Sequence, residues 1–250
     1  MVATFAEGEP EIEPNSALDT TAALAGPPRD QPVTASASRR NHLPAPLTSI
    51  IAPNSTNTMM MLVATLSGRV DPGVRPAGDA PPSALDLGCG EGADARWLAS
   101  QGWAVTGVDW SHVALERARS AMAEAGLDAA FVQGDATDPA FLAGLSPTGT
   151  FDLITLAFIH PEPEDRDSAY AHLPALVAPG GHLLVIAHDP EHGERGLGGP
   201  PPARLLSPGD ILGALRLPPG FEVLASDVQT RESDGEVTAL DSVVLVRRTA

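Results

Sequence analysis

Lysine is missing from this 250-residue chain: all 15 basic residues are Arg, set against 32 acidic ones, for a formal net charge of −17 at pH 7. So acidic a chain is a poor non-specific partner for nucleic-acid backbones, whose binding draws on cations that neutralise phosphate. It is an equally poor partner for anionic membrane surfaces. The surplus suits solubility and says little about fold. Cysteine is nearly missing as well. Cys89 stands alone, which excludes an intramolecular disulfide and fits a reducing compartment. Aromatic residues reach only 4%, so a core must come mostly from Ala, Leu and Val. Long apolar runs are absent too: the most apolar early stretch, Met59 to Leu66, falls far short of the ~20 residues of a membrane span. No basic segment followed by an apolar one opens the chain, so no signal peptide is expected, and the expected location is the cytoplasm.

What is present divides the chain near residue 80. Residues 1–57 are rich in Pro, Ser, Thr, Asn and Ala without a lasting helical or alternating pattern. Such a composition buries too little apolar surface to offset chain entropy, and a largely disordered extension is expected there. Residues 58–82 read as a short apolar helix, a possible lid, followed by a Pro/Gly linker. Residues 83–250 change texture and read as one α/β domain, its 43% hydrophobic content being ample for a core.

In that domain short apolar runs alternate with helical patterns. Strands are expected at Ala84 to Leu87, Ala104 to Val108, Ala129 to Gln133, Phe151 to Ile159 and His182 to Ala187. Helices are expected at Ala93 to Gln101, from the cap Ser111 to Ala125, at Pro139 to Leu145, from about Asp165 to Val177 with a kink or a break near its end at Pro174, and from the cap Ser207 to Leu215. Two closing strands, Phe221 to Thr230 and Val237 to Arg247, flank the hairpin signal Ser233-Asp-Gly235. Alternation of this kind implies a doubly wound, Rossmann-like sheet, mostly parallel, with an antiparallel final strand. Its ligands bind beyond the carboxyl ends of the strands.

The strongest signal is Ala84-Leu-Asp-Leu-Gly-Cys-Gly-Glu-Gly92. Gly88, Gly90 and Gly92 stand between a strand and a helix, where glycine lets the backbone turn sharply and approach a ligand. Asp86 precedes them, and Cys89 fits the crowded turn as a small side chain. Asp109 ends the second strand, where a carboxylate can accept both hydroxyls of a ribose. Trp110 follows as a flat surface for an adenine. Asp135 and Ala136, just past the third strand, can meet the adenine amino group and a ring nitrogen. The glycine loop alone also satisfies a dinucleotide pattern. A pyrophosphate on the helix N-terminus would not tolerate carboxylates beside it, whereas the ammonium and sulfonium of S-adenosylmethionine suit the acid at Asp86.

Together these segments resemble the class I S-adenosylmethionine-dependent methyltransferase family. Asp86-Leu-Gly-Cys-Gly-Glu-Gly92 resembles its first motif, Val108-Asp109-Trp110 the end of its second strand, and Gly134-Asp135-Ala136 its adenine-contacting segment. Phe151-Asp-Leu-Ile154 looks like its fourth strand, and Leu176-Val-Ala-Pro-Gly-Gly181 the turn into its fifth. The texture is most similar to small bacterial members of the tellurite-resistance and thiopurine type. The resemblance implies a seven-stranded sheet and S-adenosylmethionine as cofactor. It implies a small-molecule methyl acceptor and no nucleic-acid or membrane partner.

His160 is the candidate catalytic residue, as base or substrate contact, because it closes the fourth strand where the family places substrate. His188, Asp189 and His192 follow the fifth strand as possible substrate contacts. Their spacing passes for metal ligation, but Pro190 stiffens the turn and no other cluster supports it, so no metal is expected. Two alternatives stand beside methyl transfer: an NAD(P)-dependent oxidoreductase, and a non-catalytic S-adenosylmethionine-binding protein.

Overall fold

The computed structural model describes residues 81–145, 149–233 and 236–249. The extension expected over 1–57, the lid helix and most of the linker, and the Asp234-Gly235 turn lie outside them.

Seven strands form one sheet: β1 Ser83–Leu87, β2 Ala104–Asp109, β3 Ala130–Gln133, β4 Phe151–Ala157, β5 Val177–His188, β6 Phe221–Ser233 and β7 Glu236–Arg248. Six α-helices lie between them: α1 Ala93–Ser100, α2 His112–Glu124, α3 Pro139–Leu145, α4 Pro163–Leu176, α5 Pro190–Glu194 and α6 Pro208–Leu215. The sheet order is β3-β2-β1-β4-β5-β7-β6. Strands β1 to β5 are mutually parallel, and β7 runs antiparallel between β5 and β6. The order reverses between β1 and β4, so the carboxyl edge at that switch is the natural ligand crevice.

Alternation along the strands sorts the core into two layers. Leu85 and Leu87 of β1, Ile154 and Leu156 of β4, and Leu183 and Val185 of β5 pack toward α3, α4 and α6. Ala84, Leu153, Leu184, Ile186, Val243 and Leu245 share the opposite face with Ala95 and Leu98 of α1 and Leu115, Ala118 and Met122 of α2. By the same alternation Asp86, Thr155, His188 and Asp241 belong to this α1/α2 face. Local signals hold as expected. Ser111 caps α2 by accepting from the Ala114 N–H, and Ser207 forms a reciprocal capping box with Asp210 at the start of α6.

Beyond shifts of one to three residues at element ends, two boundaries and one α-helix differ from the sequence reading. Strand β4 stops at Ala157, because Phe158 takes a left-handed φ of 54° that extended backbone cannot continue through. Strand β5 begins at Val177 instead of His182: Val177 pairs with Phe151, and the register shift before the Leu153–His182 pair absorbs Pro179-Gly-Gly181 within the strand. Helix α5 was not foreseen, and it is a single turn with Asp189 as its cap. Among the described residues no helix is long and apolar enough to cross a membrane.

Candidate functional site

The loop after β1 is stitched to the end of β2. The Gly88 and Cys89 N–H groups both donate to the Val108 carbonyl, at 2.8 and 2.9 Å. Gly88 has φ 73°, and a Cβ there would stand 2.5 Å from the Ile159 side chain. At Gly92 a Cβ would stand 2.9 Å from Ala118 of α2. Gly90 is different: it also has φ 53°, yet nothing lies within 4 Å of where its Cβ would be. The outer two glycines let the loop pack, and the middle one leaves open space above it.

Asp109 braces this loop. Its Oδ2 accepts from the Gly90 N–H and its Oδ1 from the Ser111 N–H, both at 2.9 Å. Each carboxylate oxygen keeps further acceptor capacity, so contact with a diol remains within its reach. The Gly134 N–H donates to the Asp109 carbonyl at 3.0 Å and draws the end of β3 alongside. Asp135 Oδ1 accepts from the Thr137 N–H and hydroxyl, and Ala136 is buried beside it. Trp110 is 78% exposed; a large apolar ring on the rim of the crevice has its face free.

Beneath the loop sits an acid pair that only half emerged from the sequence. Asp86 is buried, and its Oδ1 accepts from the Thr155 hydroxyl at 2.8 Å across the β1–β4 register. Its Oδ2 has no partner, and Asp94 Oδ1, in the first turn of α1, has none either. Burial, then the negative charge of Asp94, pushes the Asp86 carboxyl up to about 7, against hydrogen bonds from the Thr155 hydroxyl and the Ala95 backbone N–H. Burial raises Asp94 to about 6. A buried carboxyl beside a half-buried one, with no cation between them, is costly, and the arrangement suits a positively charged guest. Glu91, by contrast, forms an exposed ion pair with Arg117, so repulsion of a phosphate rests on Asp86 and Asp94. Burial, reinforced by the charges of Asp86 and Asp109, also pushes the Cys89 thiol up, which makes it an unreactive packing residue.

Asp94 and Thr155 escaped the sequence reading. An acid in the first turn of a helix has an ordinary cause in the helix dipole. Thr155 did leave a trace, as the one hydroxyl in the apolar run of β4.

A second cluster lies at the carboxyl ends of β4 and β5. His160 follows β4 by three residues. Its Nε2 accepts from the His188 N–H at 3.3 Å. Burial, helped by neighbouring His188 and opposed by a backbone hydrogen bond at Phe158, lowers it to about 4. His160, His188 and His192 stack in series, with ring centroids 5.3 and 4.3 Å apart. His188 Nδ1 lies 2.9 Å from Asp241 Oδ1, and Arg231 donates to both oxygens of Asp241. Neither Asp241 nor Arg231 was singled out from sequence. His192 is buried and its Nδ1 accepts from the Leu240 N–H, while Asp189 accepts from the Ser242 hydroxyl. Their nitrogens and oxygens serve the fold, and among the described residues no group of His, Cys, Asp or Glu is arranged to hold a metal.

Residues 84–181 match the family model described as a methyltransferase domain. The ubiquinone biosynthesis O-methyltransferase of Vibrio parahaemolyticus is 35% identical over 100 residues, which is 40% of this chain and 41% of that one. The chain therefore spans well under half of that relative's length. Among solved structures, magnesium protoporphyrin IX methyltransferase (ChlM) from Synechocystis PCC 6803 with bound SAH superposes with a TM-score of 0.55 at 19% identity, covering 78% of this chain and 83% of that one. TehB from Haemophilus influenzae superposes with a TM-score of 0.53 at 17% identity, covering 69% of this chain and 59% of that one. The likeness to the solved structures shows the class I methyltransferase fold.

Proposed function

We propose, from the match of residues 84–181 to a methyltransferase-domain model, that this chain transfers the methyl group of S-adenosylmethionine to a small-molecule acceptor. The observation that carries the reading is the pair of buried oxygens, Asp86 Oδ2 and Asp94 Oδ1, left without hydrogen-bond partners on either side of the glycine loop in the chain. A ligand with an ammonium group satisfies them, whereas a dinucleotide would bring a pyrophosphate against two carboxylates. The fit extends outward: Asp109 for the ribose, Trp110 as a stacking face, and Asp135 and Ala136 toward the adenine.

S-adenosylmethionine supplies an electrophilic methyl and its own leaving group. The protein's part is to orient and to exclude water. Asp86 and Asp94 hold the amino-acid end, the backbone of Gly88, Gly90 and Gly92 lets it approach, and Asp109 fixes loop and sugar together. The net charge of −17 favours a small acceptor over a nucleic acid. The single cysteine, buried and unpaired, suits a cytoplasmic setting.

Calorimetric titration of the full chain with S-adenosylhomocysteine, beside NADH and NADPH, tests the reading. Micromolar binding of S-adenosylhomocysteine alone, weakened at least ~10-fold in Asp109→Ala, is the expected result. Binding of NADH or NADPH in its place would overturn the proposal in favour of an oxidoreductase.

A further inference from the structure

The histidine cluster contains a base of defined tautomer, and it stands on the donor's side of the sheet. His188 and Asp241 are direct register partners on β5 and β7. Both lie by alternation on the α1/α2 face, the face that carries Thr155 in β4 and Asp86 in β1. The connection to the donor loop is short. Ile159 fills the space over Gly88, and the next residue, His160, accepts from the His188 backbone.

Asp241 has a fixed role. Burial alone would raise its carboxyl, but hydrogen bonds from His188 and Arg231 outweigh burial and hold it below its ordinary range. It is therefore a carboxylate, and the proton shared with His188 resides on Nδ1. Nε2 is left as the acceptor nitrogen, and it has no hydrogen-bond partner among the described residues. The side chain keeps 17% of its exposure, and Nε2 is not among the fully buried, unpartnered side-chain nitrogens of the described residues. The flanking imidazoles differ. His160 has Nε2 committed to the His188 N–H, and His192 has Nδ1 committed to the Leu240 N–H. Burial keeps both below the ordinary histidine range, so the charged groups facing His188 are Asp241 and, behind it, Arg231. The Phe158 ring, 4.8 Å from the His188 ring, adds an apolar wall, and Gly199 leaves the neighbouring loop without a side chain over the rings.

We propose that His188, set by Asp241 and Arg231, is the general base for methylation of a hydroxyl group, a phenolic one in particular. This inference rests on the methyl-transfer reading above and deepens it. A base matters only when the nucleophile carries a proton at working pH. Phenols do, being acids near 10, whereas thiols and carboxylic acids reach their anions more readily. In the step, an oxygen electron pair forms the new O–C bond to the donor's methyl carbon. The C–S bond breaks with its electrons returning to sulfur, and the hydroxyl proton passes to His188 Nε2. The products are a methyl ether, a neutral thioether and an imidazolium against Asp241, which then releases its proton to water. Arg231 and Asp241 are positioning residues, and only His188 meets the acceptor.

The test uses the full chain with phenol and catechol as hydroxyl probes and thiophenol as a probe that ionises without help. Binding of S-adenosylhomocysteine is measured alongside. His188→Gln is expected to lower phenol and catechol methylation about 100-fold or more, while thiophenol methylation and S-adenosylhomocysteine affinity stay within about threefold. Asp241→Asn gives a signature that mere damage to the fold would not. Arg231 claims the amide oxygen, so the amide NH2 faces His188 Nδ1 and the ring proton moves to Nε2, which removes the base. Nitrogen-15 NMR of the imidazole reads that exchange directly, and hydroxyl methylation should fall with it. Unchanged phenol and catechol turnover in His188→Gln overturns the proposal, as does an equal loss with thiophenol. Methylation of thiophenol alone, or of no probe despite intact S-adenosylhomocysteine binding, overturns the hydroxyl assignment and leaves the donor reading standing. Absence of S-adenosylhomocysteine binding overturns the donor reading and this inference with it.

Discussion

Two carboxylates held where neither is fully satisfied give the donor site its character. Asp86 is raised to about 7 by burial and then by Asp94, so the folded, ligand-free chain binds a proton there more tightly than the unfolded chain does. The sign follows: Asp86 contributes stability below pH 3.8 that is lost as pH rises through about 7. Asp86→Asn removes that penalty and can still accept from Thr155 through its amide oxygen. At pH 8 the ligand-free variant should be more stable than the parent by about 1–3 kcal/mol, with a smaller difference near pH 5. Its affinity for S-adenosylhomocysteine at pH 8 should nevertheless fall at least ~10-fold. Thermal melts at the two pH values and one titration check both signs, and a variant weaker in stability and unchanged in affinity would contradict them. Asp86 was legible because an acid in an apolar strand, two residues before a glycine loop, serves no packing need. Asp94 was not, since helix starts attract acids for their own reasons. Asp241 was invisible, because its meaning comes from register with His188, which is distant in the chain.

The glycine loop separates packing from ligand approach within a single turn. Gly88→Ala forces a Cβ to within 2.5 Å of Ile159 at a left-handed φ, and Gly90→Ala meets only open space. Gly88→Ala should therefore cost several kcal/mol and yield little folded protein, whereas Gly90→Ala should cost about 1–2 kcal/mol for its backbone conformation alone. Gly90→Ala should instead show its main effect in binding, with S-adenosylhomocysteine weakened about 10-fold or more. Denaturant melts and titrations of the two variants distinguish this from a loop whose glycines are equivalent. At this scale the sequence was most readable. The order of the strands and of every helix but α5, both serine caps and the antiparallel final strand follow from periodicity and turn residues. The errors fell where tertiary pairing overrides local signals. Pro179-Gly-Gly181 reads as a turn, yet β4 recruits Val177 across it, and the left-handed Phe158 that ends β4 has no mark in its residue type.

Across the whole molecule, charge dominates. A net charge of −17 without a single Lys makes the folded state self-repelling, and screening should relieve it. Raising NaCl from ~10 to ~150 mM shortens the screening length from about 30 to about 8 Å, so the melting temperature should rise, and a fall would contradict the reading. The same acidity is focused inside the donor site, where a proton count discriminates sharply. If the ammonium of the ligand satisfies the buried pair, binding must expel the proton that Asp86 holds. Calorimetric titration with S-adenosylhomocysteine at pH 7, in buffers of different ionisation enthalpy, should show release of about half a proton per ligand from a group near 7. The release should vanish in Asp86→Asn. Binding with no proton exchanged, or with proton uptake, would contradict the claim that Asp86 and Asp94 are the ligand's cation site.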